Sequence, residues 1–208
     1  MNSPTDVVFV VDDDPSVLKA LSRLLRSEGL EVHTFRSAKA FLEQHDPSIP
    51  GCLVLDVAMP EINGLELQNA LVSAGAPRPI VFITGRADVP TGIRAMRAGA
   101  VHFLMKPVSD EDLLRAVREA LNKDRAARQE LAEIASIQAR LATLTPRERQ
   151  VLEHVVEGRL NKQIAGELGT VEKTVKVHRA RVMHKMRALS LADLVRMAGR
   201  AGIPSNIP

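Results

Sequence analysis

Hydrophobic residues in the first 122 positions fall into short unbroken runs, separated by stretches in which apolar side chains recur every three or four places. Val7 to Val11, Val32 to Phe35, Cys52 to Asp56, Ile80 to Thr84 and His102 to Lys106 read as strands. The first intervening helix takes Asp14 as its N-cap and Pro15 as its first residue. It carries Val17, Leu18, Leu21, Leu24 and Leu25 on one face and ends at Gly29. Further helices are expected over Ser37 to Glu43, Gly64 to Ala74 and Asp88 to Arg97. A fifth, capped by Ser109 or Asp110, turns Leu113, Leu114, Val117 and Leu121 inward. Strands that alternate with helices predict a parallel sheet, and strands this continuously apolar are expected only where helices cover both faces.

Beyond Leu121 the rhythm changes. Residues 122 to 140 are rich in Ala, Arg, Glu and Gln and contain neither Pro nor Gly, so the fifth helix is expected to run on as a helical linker over 123–142. Leu131, Ile134, Ile137 or Gln138, and Leu141 make one apolar stripe, which serves either a dimerising or spacing helix or a helix packed on its own domain. Residues 143–208 then read as a third segment. Thr145-Pro146-Arg147-Glu148 is a capping box, Val151, Leu152, Val155 and Val156 form the apolar face, and Gly158 closes the helix. Asn161 opens a short helix, and a third spans about Val171 to Leu189. In that third helix Val175, Val182, Met186 and Leu189 are expected inside, with Lys173, Lys176, Val177, Ala180 and Arg181 opposite. Ser190 to Asp193 is a second capping box before Leu194, Val195 and Met197. A short helix, a glycine turn and a longer basic helix describe a helix-turn-helix, which can enter a major groove.

Composition sharpens this division. The chain of 208 residues is long enough for two domains, each with its own core, and 45% apolar with 25% charged residues is a globular balance. No apolar run approaches the roughly 18 residues of a membrane span, and the start MNSPTD lacks the basic leader and apolar stretch of a signal peptide. The single cysteine, Cys52, sits inside a strand pattern, which fits a core position and a cytoplasmic location. The net charge of +3 is unevenly spread: −4 over residues 1 to 122, +1 over 123 to 142 and +6 over 143 to 208. An acidic module is thus joined to one suited to a polyanion. With no Tyr or Trp there is no stacking platform for single strands, which favours duplex DNA over RNA.

The strand ends supply the chemistry. Asp12 and Asp13 follow the first strand, Asp56 ends the third, Thr84 the fourth and Lys106 the fifth. Parallel strands bring all of them to one carboxyl edge, where open α/β sheets bind ligands. Clustered carboxylates repel unless neutralised, and oxygen ligands with room for water suit Mg²⁺. A carboxylate beside such a cation and a lysine can attack phosphorus to give an aspartyl-phosphate.

VVDDD, LDVAMPEINGLEL, VFITG and FLMKP, in this order and spacing, resemble the receiver domain of bacterial two-component response regulators over about residues 5 to 122. The resemblance implies a flavodoxin-like fold with strand order 2-1-3-4-5. It also implies that Asp56 is the phosphoacceptor and that Asp13, Asp56 and the Ala58 carbonyl ligate Mg²⁺, or Mn²⁺ in its place, with Asp12 acting through water. Lys106 would hold the phosphoryl group before a cis Pro107, and Thr84 and Phe103 would form the switch pair. Phe103 lacks the hydroxyl that many receivers carry there, and His102 stands where an acid is frequent. The Asp88-Val89-Pro90 start resembles the FixJ branch, in which that helix forms a dimer face.

LTPRERQVLEHVVEG, NKQIAGELG and TVKVHRARVMHKM resemble the LuxR-type DNA-binding domain, an all-α four-helix fold, over about residues 141 to 202. This resemblance places Lys176, Val177 and Ala180 over base edges. Lys162, Lys173, Thr174 and Arg179 become phosphate contacts, with Arg181 on the same face. Val171 stands where a Ser or Thr cap is usual, which leaves Thr170 as the alternative cap. Together the two resemblances imply a FixJ/NarL-type regulator. A sensor histidine kinase or a small phosphodonor would modify Asp56, and a homodimer would bind promoter DNA and meet RNA polymerase. The rivals are a DNA-binding protein whose receiver does not switch and an aspartyl-phosphate phosphohydrolase, for which no substrate lid is visible.

Overall fold

Val7 to Val11 feeds two cores at once, because successive side chains of a strand point to opposite faces. In a computed structural model of the chain, residues 6–85 and 89–204 are described. The five strands are β1 (Val7–Val11), β2 (Glu31–Phe35), β3 (Gly51–Asp56), β4 (Ile80–Thr84) and β5 (His102–Met105). They pair in parallel in the order β2-β1-β3-β4-β5. Helices α1 (Pro15–Ser27), α2 (Ala38–Gln44), α3 (Gly64–Ser73), α4 (Val89–Arg97) and α5 (Asp110–Leu141) connect and follow them. Phe9, Leu53, Leu55 and Phe82 face α2 and α3 and pack on Phe41, Leu67 and Leu71. Val8, Val10, Cys52, Val54, Val81 and Ile83 face the other way, toward Leu18 and Leu25 of α1 and Leu113, Val117 and Leu121 of α5. Burial pushes the Cys52 thiol up to about 12, so it is a core side chain at neutral pH.

Local chemistry explains where the elements begin. The Asp14 carboxylate accepts from the Ser16 N–H at 2.8 Å and Pro15 opens α1, as expected. Asn63 and Glu66 close a reciprocal capping box at the start of α3. The expected start of the fourth helix at Asp88 lies outside the described residues.

The chain divides into two compact units, residues 1–128 and 129–208. α5 is a single helix of 32 residues that passes from the first unit into the second. In the second unit α6 (Pro146–Val156), α7 (Asn161–Glu167), α8 (Glu172–Met186) and α9 (Leu191–Arg200) surround one core. Val151, Leu152, Val155, Ile164, Val175, Val182 and Leu194 are buried there, and Ile137 and Leu141 of α5 join them. The stripe on α5 is therefore split. Its second half packs on its own unit, while Leu131 is 67% exposed.

Two sequence expectations fail in this unit. α8 ends at Met186 because Arg187 turns into the left-handed region at φ 56°, so Leu189 lies beyond the helix and is 96% exposed instead of inside. The N-cap of α8 is Val171, with no side-chain hydrogen bond, and not Thr170.

Glu148 is buried at 2% exposure, and its Oε2 accepts from Lys185 Nζ at 2.6 Å and from the Thr145 N–H at 2.9 Å. The Lys185 bond, then the Thr145 N–H, hold its carboxyl below the ordinary value of 4.5. A depressed carboxylate contributes stability above its unfolded value and loses it as pH falls through the folded one. The thermal midpoint of the second unit should therefore drop as pH is lowered below 4.5. Glu148→Gln should cost about 1–2 kcal/mol near neutral pH and flatten that dependence. An unchanged acid limb in the variant would assign the loss to other groups.

Candidate functional site

Four strand ends meet at one edge because the sheet is parallel. Asp12 follows β1, Asp56 and Thr84 are the last residues of β3 and β4, and Lys106 follows β5. The Lys106 N–H donates to the Thr84 carbonyl at 2.8 Å, and the next peptide, Lys106–Pro107, is cis. From there Nζ of Lys106 reaches Asp12 Oδ2 at 2.7 Å and Asp56 Oδ1 at 2.7 Å. The remaining Asp12 oxygen accepts from the Asp14 N–H at 2.9 Å, and Asp56 Oδ2 accepts from the Ala58 N–H at 2.6 Å. Asp12 is 1% exposed and Asp56 4%, so two carboxylates share one ammonium away from bulk water. Burial pushes the Asp12 carboxyl above its ordinary range against the pull of the Lys106 bond, and Asp56 adds like charge. Burial draws the Lys106 ammonium down, but the two carboxylates outweigh it and hold it above 10.5.

Asp13 and Ala58 lie at the same edge and are exposed. Among the described residues no group of three or more His, Cys, Asp or Glu side chains is gathered for a metal ion. The donor set nevertheless suits a hard cation: all its atoms are oxygens, and one ammonium leaves the Asp12, Asp13 and Asp56 cluster with excess negative charge. Thr84 is fully buried. Phe103 is half-buried with its ring 6.1 Å from that of Phe82, and Gly92 of α4 lies against it. His102 Nε2 meets Glu119 Oε2 at 2.6 Å, so the histidine ties β5 to α5 at a distance from the carboxylates.

On the second unit Lys162, Lys173, Lys176, Val177, Ala180 and Arg181 are exposed, whereas Thr174 and Arg179 are half-buried. Val175, Val182 and Met186 anchor the opposite side of α8 in the core. Lys176 Nζ pairs with Glu172 at 3.0 Å, and Arg179 Nη1 donates to Asn161 Oδ1 at 3.3 Å. Val177 and Ala180 with Arg181 border a shallow apolar recess. Small apolar side chains flanked by cations form a face that can approach base edges while phosphates are held.

Comparison with known proteins bears on both units. Residues 8–118 match the response regulator receiver domain, and residues 142–198 match the bacterial regulatory proteins of the luxR family. The chain belongs to the response regulators. Nodulation protein W of Bradyrhizobium diazoefficiens is 48% identical over 200 residues, covering 96% of this chain and 88% of that protein. Response regulator protein TmoT of Ectopseudomonas mendocina is 46% identical over 96% of this chain and 91% of its own. A solved structure of the response regulator StyR has TM-score 0.85 and 47% identity, and covers 94% of this chain and 99% of that one.

This response regulator thus has a receiver domain followed by a LuxR-family DNA-binding domain, and it is a transcription regulator of a two-component system. No described helix is long and apolar enough to cross a membrane. In the receiver, Asp12, Asp56 and Lys106 are in contact and Thr84 ends the strand beside β5, while Phe103 packs against Phe82 and Gly92. Sequence reasoning missed Gly64. A Cβ there would lie 2.4 Å from the Asp56 carbonyl oxygen and 3.0 Å from the Phe82 ring. It also missed Glu61, whose φ of 63° turns the loop between β3 and α3. A glycine at the first position of a capped helix was the available signal for the close approach.

Proposed function

We propose that phosphorylation of Asp56 controls promoter binding by α8. What carries this reading is Lys106 Nζ, 2.7 Å from both Asp12 and Asp56 at a sheet edge, in a chain whose second unit presents a basic recognition helix. A sensor histidine kinase is the donor: an Asp56 carboxylate oxygen attacks phosphorus, the phosphorus–nitrogen bond of the phosphohistidine breaks, and the imidazole leaves. Asp13, Asp56 and the Ala58 carbonyl, with Asp12 through water, would hold Mg²⁺, or Mn²⁺ in its place, which supplies charge compensation for the phosphoryl oxygens. Lys106 gives up a carboxylate and takes a phosphoryl oxygen. Thr84 turns its hydroxyl to another, and the Phe103 ring follows toward the space so vacated.

The surface that would respond is α4 with β5. Val89, Ile93 and Met96 of α4 and Met105 of β5 are exposed apolar side chains, suited to a homodimer. Two copies place two recognition helices on half-sites about one DNA turn apart. Lys176, Val177 and Ala180 then face base edges, and Lys162, Lys173, Thr174 and Arg179 face phosphates, with Arg181 on the same side of the helix. RNA polymerase is the further partner in the cytoplasm. The aspartyl-phosphate is a held signal, so the protein is not a turnover enzyme.

A small phosphodonor with Mg²⁺ should tighten binding to duplex DNA from beside its own gene by about tenfold, and chelation of the metal should abolish the gain. Affinity indifferent to donor and metal favours a receiver that does not switch. Lys176→Ala should weaken DNA binding by about 1–3 kcal/mol while Asp56 still takes up phosphate. Unchanged DNA affinity would remove α8 from the interface.

A further inference from the structure

A cavity of about 250 Å³ opens at the amino-terminal edge of the sheet, opposite the edge that carries Asp56. Leu71 and Val72 of α3, Pro77 and Ile80 at the start of β4, and Ala98 after α4 give it apolar walls. One buried cation lines it. Arg78 is 7% exposed, and its two terminal nitrogens donate to the neutral carbonyls of Ile49 at 2.9 Å and Asp46 at 2.8 Å. Its Nε is buried without a hydrogen-bond partner among the described residues.

Asp124, which lines the same cavity, is shared with other donors. Asp124 Oδ2 already accepts from the Gly51 N–H at 3.0 Å and from Arg128 Nε at 2.7 Å. Burial, and then the like charge of Arg128, draw the Arg78 guanidinium below its ordinary value against the smaller opposing pull of Asp124 and Asp46. Lys123, exposed at the rim, adds a second positive charge without an ion-pair partner among the described residues. A dry apolar cavity of about 150 Å³ is enough to hold benzene. This one therefore has room for a ring and one polar substituent.

We infer that this cavity binds a small carboxylate carried on an apolar body about the size of one ring, with the carboxylate toward Arg78 and Lys123. Nothing in this reading depends on chemistry at Asp56. The anion adds negative charge where Arg78 and Lys123 outnumber Asp124 in the lining, and the apolar body displaces water from Leu71, Val72 and Ile80.

Benzoate titrated into the isotope-labelled full-length protein tests it. The amide resonances of Leu71, Ala98, Gly99 and Ala127 should move saturably, with half-saturation on the order of 1 mM for so small a ligand. Neutral benzamide should bind at least about tenfold more weakly, because it forgoes the charge-assisted contact. Ala127 lies on the exposed side of α5 and lines the mouth, so Ala127→Phe should block the site without touching the core. Lys123→Glu should weaken binding by about two- to fivefold, the size of an exposed ion pair. No movement up to about 20 mM would leave the cavity to water alone and overturn the inference. Equal binding of benzamide, or an unaltered titration in Ala127→Phe, would overturn it as well.

Discussion

Asp56→Asn should take up no phosphate. With a labelled phosphodonor and Mg²⁺ the wild-type chain becomes labelled, and the variant remains blank over the same time. The amide keeps the volume of the carboxylate but offers no nucleophilic oxygen. It also leaves Lys106 with one carboxylate, Asp12, in place of two, so the buried charges become balanced. Removing an unbalanced negative charge from a buried site is not costly. The fold should therefore be intact, with a thermal midpoint equal to or above that of the wild type. Donor-dependent tightening on DNA should vanish together with the label. A labelled Asp56→Asn protein would move the phosphoacceptor elsewhere. An unlabelled protein that had also lost its circular dichroism signal would require Asp56→Ser as a second variant before any conclusion about the role of Asp56.

Gly64→Ala is expected to damage stability and phosphorylation together. An added Cβ would stand 2.4 Å from the Asp56 carbonyl oxygen and 3.1 Å from the Val57 Cα, both backbone atoms that cannot rotate aside. The Gly64 N–H donates to the Val57 carbonyl at 3.0 Å, which fixes the start of α3 against the loop that follows Asp56. The methyl must therefore push α3 away from β3, at a cost of about 1–3 kcal/mol for overpacking. Denaturant midpoints with an unchanged slope would measure that cost. The displaced loop includes Ala58, whose N–H holds Asp56 Oδ2, so labelling should also slow by about tenfold, because a misplacement of an ångström or less is expensive in positional catalysis. Stability within about 0.5 kcal/mol of wild type would mean that the helix start accommodates the methyl by sliding.

The sheet was legible because β1, β3 and β4 are buried, largely apolar runs that lead into chemically distinctive residues. Val11-Asp12, Leu55-Asp56 and Ile83-Thr84 each mark both the strand and its functional end. Helix starts were equally plain where Asp14 and Thr145 cap them with side-chain oxygens. Sequence reasoning failed where the structure uses residues against their usual preference. Arg187 takes a left-handed turn that glycine normally provides, so the end of α8 was placed too late and Leu189 was counted as core. Val171 caps α8 without a hydrogen bond, which no pattern of polar residues could announce. The stripe on α5 gave the right face but not its fate, because periodicity does not say whether Leu131 and Ile137 meet the same neighbours. At the site, convergence of Asp12, Asp56 and Lys106 followed from strand order. The shared ammonium and the close approach of Gly64 are features of the folded chain that no linear pattern carries.

Cys52 is the chain's only sulfhydryl, lies fully buried in β3, and keeps its proton to about 12. A thiol reagent at neutral pH therefore finds no thiolate until the sheet opens. Covalent trapping of Cys52 then becomes a clock for opening of the receiver, and it can be run with and without phosphodonor. The same inertness leaves the surface chemically blank, so one cysteine introduced on α4 or α8 can carry a fluorophore or spin label without competition from the native residue.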